Sequence, residues 1–281
     1  MPLDGLHRRI ASIALRAAAR YGFALGGGNA LIAHGVIDRP TRDVDLVTNR
    51  ETGVKAAAGP VETALRREGF TTQRQDRGSD LTDIFPGLGD ELADWTVTAP
   101  GGRRTDLQLA YFDRSHEPVP MDVGPVLHLE DAAGNKLCAL AGRVEPRDYA
   151  DTAALLGRWT PAELIGFARR LDPDLDGRDM ADVALRLDQM SDEKFTAFGL
   201  TRQEVATLRE RFTGWPRYAR VVNRLRGSSR DIDDSTPDLQ ASSQAARNGA
   251  DRGQDQAVRA PGRYRVAARE RARDDELEIG R

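Results

Sequence analysis

The sequence predicts an α+β protein in which a mixed sheet with its own helices is followed by a helical C-terminal region. Three observations lead there. Residues 23–25, 44–47 and 104–110 cluster or alternate apolar side chains as strands do, and glycine and proline separate them from helical stretches. Ala99-Pro100-Gly101-Gly102 supplies a reversal between two alternating segments, which reads as an antiparallel hairpin. From residue 131 onward apolar residues recur at helical spacing, and capping residues mark successive starts.

The elements follow in order. A first helix is expected over residues 4–20, capped by Asp4, with Leu6, Ile10, Ile13 and Ala17 as its apolar stripe and Gly22 as its end. Phe23–Leu25 forms a short strand running into Gly26-Gly27-Gly28, and Asn29 opens a helix that reaches His34. Residues 35–42 read as a loop, and Val44, Leu46 and Val47 as a strand. A helix over 59–68 places Val61, Ala64 and Leu65 on one side, and Gly69 closes it. Trp95 and Val97 lie on one arm of the hairpin and residues 104–110 on the other, with a shorter strand at 126–129. Asp131 is expected to cap a helix beginning at Ala132. Pro146 ends or kinks that helix, and a second runs over 147–156. Further helices are expected near 161–170, 178–189 and 202–212, the last opened by the capping box of Thr201 and Glu204. After Gly227 the chain turns polar and leaves little to bury. This gives a core over 1–130, a helical region over 131–227, and a polar, disordered tail over 228–281 with a terminal helix near 266–279.

Composition bounds the function. In 281 residues, 41 Lys and Arg face 44 Asp and Glu, a net charge of −3, so a strongly basic nucleic-acid-binding surface is not indicated, although a local basic cleft is compatible with that average. The single cysteine, Cys138, can form neither an intramolecular disulfide nor a cysteine metal cluster, and it reads as a structural thiol on an apolar helix. The first residues lack a signal-type apolar core and no run reaches the length of a membrane span, so a cytoplasmic protein with no membrane partner is expected.

The chemistry concentrates in LGGGNALIAHGVIDRPTRDVDLV. A strand delivering a glycine turn to a helix N-terminus can aim backbone N–H groups at phosphate, although three glycines serve a structural turn equally well. Asn29 can add a contact or merely cap the helix. On an extended strand Asp43 and Asp45 share a face at roughly 6 to 7 Å, where two carboxylates can converge on a hard cation. Their repulsion calls for a metal or a basic neighbour. Asp106 lies in RTDLQLA on the face opposite Leu107 and Leu109 and supplies a third carboxylate if that strand neighbours the first. Such a set supports two-metal phosphoryl transfer, with Asp106 helping to activate an acceptor hydroxyl. Lys136 can reach a triphosphate or simply face solvent. Asp148 and Asp151 share a helical face, where they can hold Lys136 or an arginine, position a nucleotide, or solvate a surface. Arg39 and Arg42 can bind phosphate or neutralise the acidic rim, and Arg143 and Arg147 can face an RNA backbone.

GGGNALIAHG, RPTRDVDL, RTDLQLA and NKLCALAGRVEPRDYADTAAL, in this order, resemble the AbiEii/MenT-like nucleotidyltransferase toxins of bacterial toxin–antitoxin and phage-defence systems. The resemblance covers mainly residues 20–160. Its most specific part is the conjunction of the glycine pair, DxD and the later K…RDxxD segment. It implies a DNA-polymerase-beta-like nucleotidyltransferase core followed by a helical region. It also implies roles: Gly27 and Gly28 at the nucleotide-phosphate turn; Asp43 and Asp45 as the metal pair; Asp106 as the third acidic residue of the wider superfamily, a position at which some toxin members vary. Lys136 becomes the triphosphate-contacting lysine, Asp151 the functionally sensitive carboxylate of the last motif, and Asp148 the group that orients Lys136 or a basic partner. One departure stands out. The wider superfamily often follows its leading glycine with serine, whereas here Gly28 is followed by Asn29, so a serine-specific phosphate bond is absent or supplied by Asn29.

The resulting expectation is Mg2+- or Mn2+-dependent transfer of a nucleotide from an NTP to RNA, with a tRNA acceptor end as the substrate and a cognate antitoxin as the partner. Two alternatives stay open from the residues themselves: a noncatalytic, nucleotide-dependent protein-interaction module, and a nucleotidyltransferase that acts on a small molecule or a protein.

Overall fold

The computed structural model describes residues 3–75, 91–143 and 145–217. Helix α1 (Gly5–Ala17) opens the chain, with the Asp4 carboxylate accepting from the Leu6 and His7 amides, and a 3-10 turn (Ala19–Tyr21) leads to β1 (Ala24–Leu25). Then come α2 (Gly27–Ala33), β2 (Asp43–Thr48), α3 (Gly53–Arg67), β3 (Thr71–Gln75), β4 (Leu92–Thr98) and β5 (Arg104–Tyr111). A small hairpin of β6 (Val119–Met121) and β7 (Gly124–Val126) completes a seven-stranded sheet ordered β3-β4-β5-β2-β1-β7-β6. The sheet is mixed: β2 pairs parallel with β5 and β1 with β7, while the other neighbours run antiparallel.

The remaining described chain is helical: α4 (Leu129–Arg143), α5 (Pro146–Leu155), α6 (Pro161–Leu171), α7 (Gly177–Gln189), α8 (Asp192–Ala197) and α9 (Arg202–Arg211). A mixed sheet followed by a run of helices is the polymerase-beta-like arrangement that the sequence resemblance implies.

The sheet has two unlike faces because successive strand residues point to opposite sides. Val44, Leu46, Trp95, Val97, Leu107 and Leu109 are almost fully buried, and α1 and α3 pack with their strands on the core side. The opposite face carries Asp43 and Asp45 of β2, Asp106 and Gln108 of β5, and Asp94 and Thr96 of β4. At the junction α2 packs on both β2 and α4, and α4 in turn packs on α6. A methyl group at Gly134 would stand 2.8 Å from the Phe167 carbonyl, so this glycine sets how closely those two helices approach.

Several boundaries differ from expectation, each for a local reason. Helix α3 begins at Gly53, six residues before Gly59, and carries Pro60 inside it. The strand expected at 126–129 is instead β7 at 124–126, and the Leu127 amide makes only a single bond onward, to the Leu25 carbonyl. Asp131 does not cap α4: the helix already starts at Leu129, and the Asp131 carboxylate turns back to accept from the Ser115 and His116 amides. Strand β3 and helix α8 were not expected. The expected tail and terminal helix lie outside the described residues.

Candidate active site

Gly27 has φ of +57°, and a Cβ there would stand 1.9 Å from Oδ2 of Asp45. Only glycine therefore fits between β1 and α2 while leaving the Asp45 carboxylate beside the turn. The Gly26 amide donates to the Asp45 carbonyl at 2.8 Å and fixes the turn to β2. A Cβ on Gly28 would meet Cγ2 of Thr41 at 2.6 Å, so the loop before β2 folds directly over α2.

Asn29 is buried. Its Nδ2 donates to the Asp43 carbonyl at 2.7 Å, and its Oδ1 accepts from Thr41 Oγ1 at 2.8 Å. The side chain thus secures the backbone that carries Asp43. Behind it, the buried His7 ring contacts the hydroxyls of Thr41 and Thr105, and Thr105 donates to the Arg42 carbonyl. Burial pushes the His7 pKa down, against the opposing pull of the Asp4 and Asp43 charges.

In register, Asp43 stands opposite Asp106, and Asp45 opposite Gln108. Asp106 accepts from Thr96 Oγ1 at 3.0 Å and Gln75 Nε2 at 3.3 Å, while Gln108 donates to Asp94 at 2.8 Å. One pocket gathers Gly27, Gly28, Arg42, Asp43, Asp45 and Lys136 among its walls, together with Gln108. Asn29, Asp106, Asp148 and Asp151 are not among its lining residues.

The wall facing the carboxylates is built by α4 and α5. Lys136 is buried, with its Nζ 3.2 Å from Asp148 and 2.9 Å from Asp151. Asp148 also accepts two bonds from Arg143, at 2.7 and 2.9 Å, and Asp151 two from Arg39, at 2.7 and 2.6 Å. Both carboxylates are buried, so they do not solvate a surface. Burial alone would raise the Asp148 pKa, but the Arg143 and Lys136 charges and the Arg143 hydrogen bond outweigh it and hold the group far below the usual carboxylate range. Burial likewise opposes the charge on Arg39, and the hydrogen bond and charge of Asp151 overcome it, raising that pKa. With Arg147 and Glu145 counted, four cations share three anions, and the surplus positive charge borders the pocket that Asp43 and Asp45 make acidic.

Among the described residues, no three His, Cys, Asp or Glu side chains stand close enough together to hold a metal ion by themselves. The fit to a metal rests instead on the pair. Asp43 and Asp45 offer hard oxygen donors, and the missing Cβ of Gly27 gives the Asp45 carboxylate the room it occupies beside the turn. Mg2+ is commonly held by one or two carboxylates together with substrate phosphates, and the pair suits that mode.

Phe198, just past α8, also lines this pocket, and its residue type and position gave no signal in the sequence. Arg143 and Arg147, expected to be able to face an RNA backbone, line it too. Among the described residues, no helix is long and apolar enough to cross a membrane.

Solved structures similar to this chain include JHP933 from Helicobacter pylori, 16% identical with a TM-score of 0.47 over 80% of this chain and 99% of that one. Another is MenT4, a nucleotidyltransferase toxin from Mycobacterium tuberculosis H37Rv, 17% identical with a TM-score of 0.48 over 74% of this chain and 82% of that one. No curated protein matches the chain. The family model described as nucleotidyl transferase AbiEii toxin, type IV toxin–antitoxin system, matches residues 10–224, and the chain belongs to this family of nucleotidyltransferases.

Proposed function

We propose that this nucleotidyltransferase toxin transfers a nucleotide from an NTP to RNA, with a tRNA acceptor end as the substrate, in a cytoplasmic setting where a cognate antitoxin restrains it. The observation that carries the catalytic part is the single pocket in which the Gly27-Gly28 turn and the Asp43–Asp45 pair face Lys136. The RNA target is supported by the family resemblance of the ordered motifs.

In this reading the turn's amides and Lys136 hold the triphosphate, and Arg42 and Arg143 border it. Mg2+ or Mn2+, held by Asp43 and Asp45 with Asp106 one strand away, would offset phosphate charge and orient the reacting oxygens. Asp106, opposite Asp43 on the neighbouring strand though outside the pocket lining, would take the proton of an acceptor hydroxyl that enters along β5, as that oxygen attacks the α-phosphorus and pyrophosphate leaves. Asp151 and Asp148 act through Lys136. They fix its ammonium by two ion pairs at 2.9 and 3.2 Å, which makes them positioning residues. Asn29 serves the same end for Asp43 through the backbone.

The test is incubation of the full chain with labelled NTPs, Mg2+ and separate RNA, protein and metabolite pools. Label is expected in RNA and absent with Asp45→Ala. Equal labelling by the variant would remove Asp45 from the chemistry, and label confined to protein or metabolites would overturn the RNA target.

A further inference from the structure

Arg39 and Phe198 meet at the pocket where the sheet half and the helical half adjoin. Every nitrogen of the Arg39 guanidinium already donates in its own plane: Nε and Nη2 to Asp151, at 2.7 and 2.6 Å, and Nη1 to the Pro40 carbonyl at 3.1 Å. Three of its five N–H groups are used in this way, which anchors the side chain against Asp151 and the 39–40 backbone. Its flat face meets the Phe198 ring, 5.6 Å from Arg39 Cζ to the ring centroid.

Phe198 is half-buried in a pocket that also holds Asp43, Asp45, Lys136 and Arg143. An aromatic surface among charges offers nothing to a phosphate or a metal ion. It does suit a planar heteroaromatic base, because every nucleobase has a π face that stacks on such a ring. The position is firmly set. Phe195, three residues earlier, is fully buried and packs edge-on to Tyr149 at 6.2 Å, and Gly199 at φ +105° turns the chain immediately after Phe198. Tyr149 sits between Asp148 and Asp151 in α5, so the helix that fixes Lys136 also fixes the ring. At the other end, Arg39 Nη2 lies 3.8 Å from where a Gly28 Cβ would be, next to the turn assigned to the phosphates.

We propose that Phe198, backed by Arg39, is the surface on which the base of the incoming NTP stacks. This is a base-binding contact supplied by the helical half, and it rests on the nucleotidyltransferase reading of the pocket. The acceptor RNA is the other possible source of a base. The NTP is favoured because the ring is coupled through Arg39 to the phosphate turn and, through Asp151, to Lys136.

The experiment is equilibrium binding of each of the four ribonucleoside triphosphates, and of inorganic tripolyphosphate, to the full chain with Mg2+. Phe198→Ala is expected to weaken NTP binding between about 5-fold and about 150-fold and to leave tripolyphosphate binding unchanged. Phe198→Trp should retain NTP affinity, whereas Phe198→Leu, which keeps the apolar bulk, should behave as the alanine variant. Equal weakening of NTP and tripolyphosphate would overturn the proposal by showing that the ring only shapes the pocket. Unchanged NTP binding with lost RNA labelling would overturn it in favour of an acceptor base. Failure of the unaltered chain to bind either NTP or tripolyphosphate would overturn the underlying reading and this proposal with it, a result distinct from the other two.

Discussion

Two glycines with the same backbone conformation separate strain from collision at the level of single residues. Gly27 and Gly35 have φ of +57° and +67°, but a Cβ at Gly35 meets nothing within 4 Å, whereas at Gly27 it meets the Asp45 side chain. Gly35→Ala should therefore cost only the left-handed strain of about 1 kcal/mol. That corresponds to a melting temperature lower by about 2 to 4 °C. Gly27→Ala should cost clearly more. Oδ2 at 1.9 Å can rotate away, but the Asp45 Cβ, 3.1 Å off, moves only with the strand. Thermal melts of the two variants compare them directly, and equal shifts would show that Asp45 yields without resistance. The acidic pair itself was legible in the sequence, since two residues on a strand share a face whatever the surroundings. The partners of Asn29 were not: its amide is spent on the Asp43 carbonyl and on Thr41, fourteen and twelve residues away, across a loop with no periodic pattern.

Between elements, the decisive contact is the set of ion pairs that ties α4 to α5. Lys136 and Arg143 come from α4, and Asp148 comes from the first turn of α5. The folded-state pKa of Asp148 lies below its ordinary value of 3.8. The stabilisation is therefore fully present above about pH 4 and is lost as pH falls from there through the depressed folded value. Asp148→Asn removes one member of a buried pair and should cost about 3 to 5 kcal/mol at neutral pH. The gap in melting temperature between the two proteins should then narrow as pH drops below about 4. A gap that stays constant from pH 7 to pH 3 would show that another group carries the acid dependence. Elements with strong local signals were readable: the box of Thr201 and Glu204 opens α9 as expected. The start of α3 was not, because Pro60 suits the first turn of a helix, whereas here it lies mid-helix on the exposed side. Asp131 misled for a related reason. A carboxylate at a helix start usually caps it, and this one serves the 115–116 loop instead.

Across the whole molecule, the strand half that brings Asp43 and Asp45 and the helical half that brings Lys136 and Arg143 meet through a pair of reversed sense, Arg39 from the first and Asp151 from the second, 112 residues apart in sequence. Pairings over such a separation leave no periodic trace, which explains why the basic wall of the pocket was visible only as scattered arginines. The pair is bidentate, and the Asp151 side chain is 1% exposed. Two accounts of what joins the halves then differ in a measurable way. If apolar packing of α2 on β2 and α4 suffices, Arg39→Met and Asp151→Asn should destabilise additively, within about 0.3 to 0.5 kcal/mol. If the ion pair is itself a fastening, the double variant should lose less than the sum of the single ones, with a coupling of about 0.5 to 3 kcal/mol. The second outcome is expected, because either single change leaves a buried charge facing a lost partner, and the double change removes both. Asp151 also holds Lys136, so Asp151→Asn carries a cost that the cycle cancels and only the Arg39 coupling remains. Urea unfolding of the four proteins measures it. A coupling near zero would mean that Arg39 is held in place by Phe198 and the 39–42 loop, and that the strand and helical halves meet at the pocket without the pair to fasten them.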